Sequence, residues 1–148
     1  MPIRLVATDL DGTLLGSDGQ LSPRSIAALQ AADAAGLIVV FVTARPLRWM
    51  TSLWPHVGSH GKAIVSNGAA VYDVGTGSVE EIDGIDPEAG IDLVDSIRAA
   101  VPGTSFALEC VSGICLEPEF NEPEHIPFGS PVGPLTHVWT EPALKLMA

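Results

Sequence analysis

The 148 residues of this chain fit one compact domain, or one domain and part of a second. Seven Lys and Arg residues against 18 Asp and Glu residues give a net charge of −11, which argues against a nucleic-acid-binding surface and against docking on an anionic membrane. The sequence contains no apolar run near the roughly 18 residues of a membrane span, and its two cysteines cannot form a disulfide framework, so we expect a cytoplasmic protein.

Three short apolar runs in the first half of the chain predict β-strands. The run at residues 3–8 is typical of a strand buried on both faces, and further strands are predicted at residues 37–42 and 63–65. We therefore expect the first half to form the core of a sheet.

Helical segments separate these strands. A helix is predicted to begin at Pro23, after the capping residue Ser22, and to end at Gly36. A second helix is predicted over residues 46–54. The order β-α-β-α-β predicts parallel strands with right-handed crossovers, which is the α/β class with a Rossmann-like sheet. Ligands of such sheets bind at the carboxyl ends of the strands.

The second half of the chain is richer in Gly, Pro and acidic residues, and we place a domain boundary between residues 74 and 75. This divides the chain into residues 1–74 and 75–148. The elements predicted for the second part are a turn at 75–78, a helix at 87–100, a hairpin of 105–110 with 114–117, an irregular loop at 117–134 and a strand at 144–148.

Polar clusters follow each of the three predicted parallel strands. They occupy residues 9–13 (Asp-Leu-Asp-Gly-Thr), 43–45 (Thr-Ala-Arg) and 66–68 (Ser-Asn-Gly). Because adjacent strands lie about 4.8 Å apart, the three strand ends can converge on one small site.

Asp9 and Asp11 are the residues of this site that point to a particular chemistry. Two carboxylates so close repel each other unless a cation neutralises them, and Mg²⁺ is the hard cation that prefers oxygen ligands. One carboxylate could then attack a phosphoryl group, while the other protonates the leaving oxygen and activates water. The backbone N–H of Gly12 could hold a phosphate oxygen. The simpler alternative is that Asp-x-Asp-Gly forms only a turn after a strand.

These clusters resemble the signatures of a known family. The run from Asp9 to Leu15, Asp-Leu-Asp-Gly-Thr-Leu-Leu, resembles the first signature of the haloacid dehalogenase-like phosphohydrolases, and Thr43 resembles their second. Residues 43–45 and 66–69 further resemble the Cof-type branch of this family. The resemblance is strong over residues 1–74 and loose beyond them.

The resemblance implies a Mg²⁺-dependent phosphohydrolase of small phosphorylated metabolites that forms an aspartyl-phosphate intermediate. Asp9 would be the nucleophile and a metal ligand, and Asp11 would be the general acid/base, with its backbone carbonyl also on the metal. Thr43 would bind the transferring phosphoryl group, and the predicted phosphate- or substrate-binding residues also include Gly12, Ala44, Arg45, Asn67 and Gly68. A salt bridge at the rim of the sheet is the alternative for Arg45, and a turn is the alternative for Asn67.

Two later signatures of the family, a charge-balancing Lys and a Gly-Asp acidic motif, have no match here. The sequence contains only Lys62 and Lys145, and neither stands at the corresponding place. We therefore expect an N-terminal portion of a longer protein that is a poor catalyst alone. Residues 75–148 would begin an inserted mixed α/β cap that selects the substrate. An open sheet edge would favour association with the missing C-terminal half or with a second copy.

Two other functions stay open on this sequence. A phosphomutase would move a phosphoryl group between positions without releasing phosphate, and a non-catalytic domain would bind phosphate without turnover. Separately, Cys110 and Cys115 flank the predicted hairpin turn, where we expect buried, reduced thiols.

Overall fold

The computed structural model describes residues 2–121 and 126–148, so part of the predicted loop at 117–134 lies outside the described residues. The chain divides into two compact units, one ending at Ile82 and the other spanning Asp83–Ala148. The predicted boundary after residue 74 lies earlier, because it leaves out a strand that pairs within the first unit.

A five-stranded sheet forms the first unit, with its strands in sequence order. The first three strands run parallel and the last two are antiparallel additions, so the α/β prediction with three parallel strands is confirmed. The strands are β1 (Leu5–Asp9), β2 (Ile38–Val42), β3 (Lys62–Val65), β4 (Ala70–Asp73) and β5 (Ser78–Ile82).

The prediction that the first strand is buried on both faces is wrong. Leu5 is 51% exposed and Val6 is 39% exposed. The reason is that β1 lies at one end of the sheet and, among the described residues, pairs only with β2. The central strand β2 instead carries the core, with Val39 and Phe41 almost fully buried.

Helix α1 (Pro23–Ala34) begins and ends where the sequence predicts. The Ser22 hydroxyl oxygen accepts a hydrogen bond from the Ser25 backbone N–H at 3.0 Å, and Gly36 has a positive φ of 73° after the helix. Among residues 2–121 and 126–148, no helix has the length and apolar character needed to cross a bilayer.

The predicted helix over residues 46–54 is wrong. This segment contains a short 3₁₀ turn at Leu47–Trp49, and a second one at Trp54–His56 includes Pro55. Neither turn has a side-chain cap, and a segment of this length gains little from helix propagation before Pro55 interrupts it. The apolar residues still pack, since Met50 and Leu53 are buried.

The second unit contains a small three-stranded antiparallel sheet. Its long helix, its hairpin and its last strand agree with the prediction, whereas a short helix at residues 135–138 is not predicted from the sequence. Asp86 caps the long helix by accepting a hydrogen bond from the Glu88 N–H at 3.0 Å. Phe106, Leu108 and Trp139 lie in its buried core. The elements are α2 (Pro87–Ala100), β6 (Ala107–Glu109), β7 (Ile114–Leu116), α3 (Leu135–Val138) and β8 (Lys145–Met147).

Candidate active site

The structure brings the three polar clusters to the same edge of the first sheet. Asp9, the last residue of β1, lies in register with Val42, and Val42 lies in register with Ile64. The Thr43 backbone N–H donates to the Ile64 carbonyl at 2.9 Å, which holds the residues after β2 beside the end of β3. The carboxyl ends of β1, β2 and β3 are therefore neighbours.

The residues after β1 form one wide turn, Leu10–Leu14, anchored by the fully buried Leu10. The turn closes with a hydrogen bond from the Leu15 N–H to the Leu10 carbonyl at 2.9 Å. Gly12 has a φ of 75° and no described atom lies within 4 Å of the position that a Cβ would take. Backbone conformation, and not lack of space, requires glycine there.

Thr13 contacts the candidate nucleophile. Its hydroxyl donates to Asp9 Oδ2 at 3.1 Å. The sequence pattern predicts no role for Thr13, although a spacing of four residues across a turn is a usable signal. The contact holds the Oδ2 atom of the Asp9 carboxylate.

Asp11 and Arg45 form a bidentate ion pair across the ends of β1 and β2. Arg45 Nε donates to Asp11 Oδ2 at 2.8 Å, and Nη2 donates to Oδ1 at 2.6 Å. The Arg45 guanidinium, chiefly through these hydrogen bonds, holds the pKa of the Asp11 carboxyl below its ordinary value. Reciprocally, the hydrogen-bonded Asp11 raises the pKa of Arg45. The alternative stated for Arg45, a salt bridge at the rim of the sheet, is present; its contact with substrate stays a prediction.

Thr43 is buried, while Ala44 is exposed. The Thr43 hydroxyl oxygen accepts a hydrogen bond from the Arg45 backbone N–H at 3.1 Å. This bond fixes the hydroxyl at the end of β2. It also tightens the turn that aims the Arg45 side chain at Asp11.

The residues after β3 have an unusual backbone. Ser66, Asn67 and Gly68 have successive positive φ angles of 52°, 61° and 102°. Two backbone bonds tie them to the end of β2: the Ser66 N–H donates to the Arg45 carbonyl at 2.9 Å, and the Asn67 N–H donates to the Thr43 carbonyl at 3.2 Å. Positive φ is costly for residues with a Cβ, so these bonds maintain a strained turn.

Ser66 is the residue of this turn that the sequence analysis left without a role. Its side-chain oxygen is buried and has no hydrogen-bond partner among the described residues. The Ser-Asn-Gly pattern indicates a turn, and Asn and Gly tolerate positive φ. Nothing in that pattern predicts that Ser66 adopts it too.

Comparisons with known proteins agree on one family. The model for haloacid dehalogenase-like hydrolases matches residues 6–128. A Streptococcus pyogenes protein named as a phosphatase is 42% identical over 87 residues, covering 55% of this chain and 31% of that protein. Pyridoxal phosphate phosphatase YbhA of Escherichia coli is 33% identical over 98 residues, covering 66% of this chain and 36% of the enzyme.

A solved structure supports the same assignment. A haloacid dehalogenase-like hydrolase from B. subtilis superposes with a TM-score of 0.63 at 29% identity, covering 77% of this chain and 39% of that one. The chain thus spans well under half the length of these relatives.

Proposed function

Because this chain belongs to the haloacid dehalogenase-like hydrolases, in their Cof-type branch, we propose that the protein hydrolyses small phosphomonoesters through a phosphoryl group carried on Asp9. The observation that carries the proposal is the meeting of Asp9, Asp11 and Thr43 at the ends of adjacent parallel strands. The phosphatase names of the relatives support the substrate class.

Asp9 is the proposed nucleophile. Its carboxylate would attack phosphorus while the bond from phosphorus to the leaving oxygen breaks, which leaves an acyl phosphate on Asp9. Since Thr13 donates to Oδ2, we assign Oδ1 as the attacking oxygen. Water would then hydrolyse the acyl phosphate and restore the carboxylate.

Asp11 is the proposed general acid and base. The Arg45 pair favours the charged carboxylate, which is the form that can accept a proton from the attacking water. Protonation of the leaving oxygen needs the acid form, which the same pair opposes. We therefore propose that the planar guanidinium of Arg45 leaves Asp11 and binds the substrate phosphate. Two phosphate oxygens can replace the two carboxylate oxygens as hydrogen-bond acceptors.

The other predicted contacts surround this pair. The Thr43 hydroxyl oxygen already accepts a bond from the Arg45 N–H, so its own proton is the one to donate to a phosphoryl oxygen. Gly12 would offer its backbone N–H in the turn after Asp9. Contacts with substrate are also proposed for Ala44, Asn67 and Gly68.

Asp9 and Asp11 fit Mg²⁺ in donor type. Asp9 would supply a hard carboxylate oxygen and Asp11 its backbone carbonyl oxygen, and Mg²⁺ is commonly held by one or two carboxylates with water and substrate phosphate. In the part of the chain that the structure describes, no group of three or more His, Cys, Asp or Glu could enclose a metal ion. The bound ion would neutralise the carboxylate pair and the phosphate charge. Without further ligands or a charge-balancing Lys, we propose that the 148-residue chain alone turns over slowly.

The second unit, Asp83–Ala148, is proposed to act as the substrate-selecting cap. Its helices and antiparallel sheet agree with the mixed α/β architecture that the family resemblance implies. Substitutions on its surface are expected to change the ratio of kcat/KM between two phosphomonoesters. Phosphorylation of Asp9 should persist in the same variants.

The open edge of β1 supports a proposal about association. Leu5 and Val6 of β1 expose apolar surface, as does Ile38 of the neighbouring strand β2, and a cavity of about 420 Å³ lies between β1, β2 and α1. We propose that another strand, from a longer polypeptide or from a second copy, pairs along this edge.

The proposed activity is tested by phosphate release from a panel of phosphomonoesters that includes pyridoxal 5′-phosphate. The natural protein containing these residues should release phosphate with Mg²⁺, and Asp9→Asn should lower kcat by a factor of about 10³ or more. Asp18→Asn is the matched control, since Asp18 lies in the same loop and accepts a bond from the Gln20 N–H, which Asn can keep.

Three results would contradict the proposal in different ways. Unchanged turnover in Asp9→Asn would show that Asp9 is not the nucleophile. Phosphate moved between positions without release would indicate a mutase. Binding of a phosphate analogue without turnover in the natural protein would indicate a non-catalytic domain.

A further inference from the structure

The two cysteines of the chain lie together on one face of the β6–β7 hairpin. Cys110 and Gly113 exchange backbone hydrogen bonds across a two-residue turn, at 2.8 and 3.3 Å. Cys115 lies in register with Leu108, two residues before Cys110. Since side chains two apart share a face of a strand, both thiols point to the same side. Gly113, opposite Cys110, places no side chain between them.

The thiols are in contact and buried in the same apolar core. Each cysteine is 6% exposed, and both are free thiols close enough to share a hydrogen bond. This arrangement confirms the expectation of buried, reduced cysteines. It also places the two thiols on one face of the same hairpin, which burial alone would not.

A cavity gives small molecules a route to this pair. It has a volume of about 270 Å³ and lies within the second unit. Its lining includes Cys110, Cys115, Ser112 and Glu141. A peroxide is small enough to enter such a space, whereas a protein thiol of another chain is not.

We propose that Cys110 and Cys115 form a dithiol that closes reversibly to a disulfide across the hairpin when the protein meets a peroxide. The thiolate of one cysteine attacks an oxygen of hydrogen peroxide, the O–O bond breaks, and the leaving hydroxide is protonated to one water. The sulfur of the other cysteine then attacks this sulfenic acid, the S–O bond breaks, and a second water leaves. Two electrons pass from the thiols to the peroxide, so the reaction is balanced.

A thiol that keeps its proton can donate it to the neighbouring thiolate, and this hydrogen bond stabilises the thiolate. The carboxylates of Glu109 and Glu141 oppose ionisation of both thiols. Either thiol can therefore attack first, and its partner is then the resolving residue.

The geometry predicts a disulfide that is easily reduced. Diagonal neighbours of an antiparallel pair have Cα atoms about 7–8 Å apart, whereas disulfides usually need about 4.4–6.8 Å. Closing the bond must draw the two strands together, and strained disulfides have the more oxidising potentials. The bond would thus open again under mild thiol reductant.

Intact-mass analysis of the folded chain after treatment with hydrogen peroxide tests the proposal. Wild type should lose the mass of two hydrogen atoms and both titratable thiols, and dithiothreitol should restore both. Cys110→Ser and Cys115→Ser should each form no intramolecular disulfide, and the remaining cysteine should stop at a sulfenic acid that dimedone traps. Circular dichroism of both variants controls for folding.

Other products of the same treatment decide against the proposal. A folded wild type that gains oxygen atoms at both sulfurs, forms only intermolecular disulfides, or keeps two free thiols would overturn the proposal.

Discussion

The Asp11–Arg45 pair is the residue-scale feature that most affects the proposed chemistry. The pKa of Asp11 is lower in the folded chain than its ordinary value. The pair therefore stabilises the fold at pH values above the ordinary pKa of the carboxyl, and this stabilisation is lost as the pH falls through the lowered pKa of the folded chain. Asp11 is largely exposed, which makes the contribution small. The pair matters more for protonation than for stability.

Replacing the guanidinium should therefore move the titration of Asp11. In Arg45→Ala the pKa of Asp11 is expected to rise towards its ordinary value, as measured by NMR titration of the side-chain carboxyl. Arg24→Ala, an exposed Arg on α1, is the matched control and should leave Asp11 unchanged. An equal pKa in wild type and Arg45→Ala would contradict the ion pair.

Ser66 offers a second prediction at this scale, based on its buried hydroxyl. Ser66→Ala should raise the free energy of unfolding by about 1 kcal/mol, because it removes an unpaired polar atom from the interior. Ser66→Thr should lower it, since a β-branched residue is strained at a φ of 52°. Urea unfolding of the two variants measures both effects. A loss of stability in Ser66→Ala would show that the hydroxyl has a partner.

The sequence predicted which residues meet at the strand ends, but not how they contact each other. Buried apolar strands followed by polar residues are enough to place Asp9 and Thr43 at one edge. Whether the Arg45 guanidinium contacts Asp11 or the substrate depends on side-chain geometry. The strain at Ser66 depends on backbone bonds to residues about twenty positions away, which local patterns do not encode.

At the scale of elements, packing overrides propensity in helix α2. Gly90 lies within this helix, and an added Cβ would come within 1.9 Å of Trp139 Cη2. Helix propensity alone predicts that Gly90→Ala stabilises α2 by about 1 kcal/mol. Overpacking against a buried ring predicts the opposite, a loss of about 1–3 kcal/mol.

The measured change in stability of Gly90→Ala decides between these two expectations. Hydrogen exchange of the β6 amides during urea titration should show lower protection in the variant, because Trp139 belongs to the same core as β6. Ser96→Ala, an exposed change on the same helix, controls for propensity and should not lower protection. Greater protection in Gly90→Ala would show that the core tolerates the methyl group.

The elements that the sequence analysis missed are short or polar. Strand β5, Ser-Val-Glu-Glu-Ile, carries two acids and lies at the edge of the sheet, so its pattern resembles a solvated loop. Strand β4 has four residues, too few to show a period. At residues 46–54 the sequence predicts a helix that the structure does not form, because the apolar residues of this segment pack into the core without helical geometry.

For the whole molecule, the exposed edge of β1 predicts self-association of the isolated chain. Light scattering after size exclusion should give a mass above that of the monomer, rising with concentration. Val6→Lys should shift the mass towards the monomer, because it places a charge on the exposed apolar surface. Val101→Lys, at an exposed apolar residue of the second unit, is the control and should not. A monomer at every concentration would contradict pairing with a second copy.

The central claim is that Asp9 carries the phosphoryl group, and acid quench of the natural protein during turnover tests it most directly. Peptide mapping of protein quenched within the first turnover of a phosphomonoester should find an acyl phosphate on Asp9. The same adduct should be absent from Asp9→Asn. Phosphate release at a normal rate with no adduct on Asp9, or with an adduct on another residue, would contradict the account.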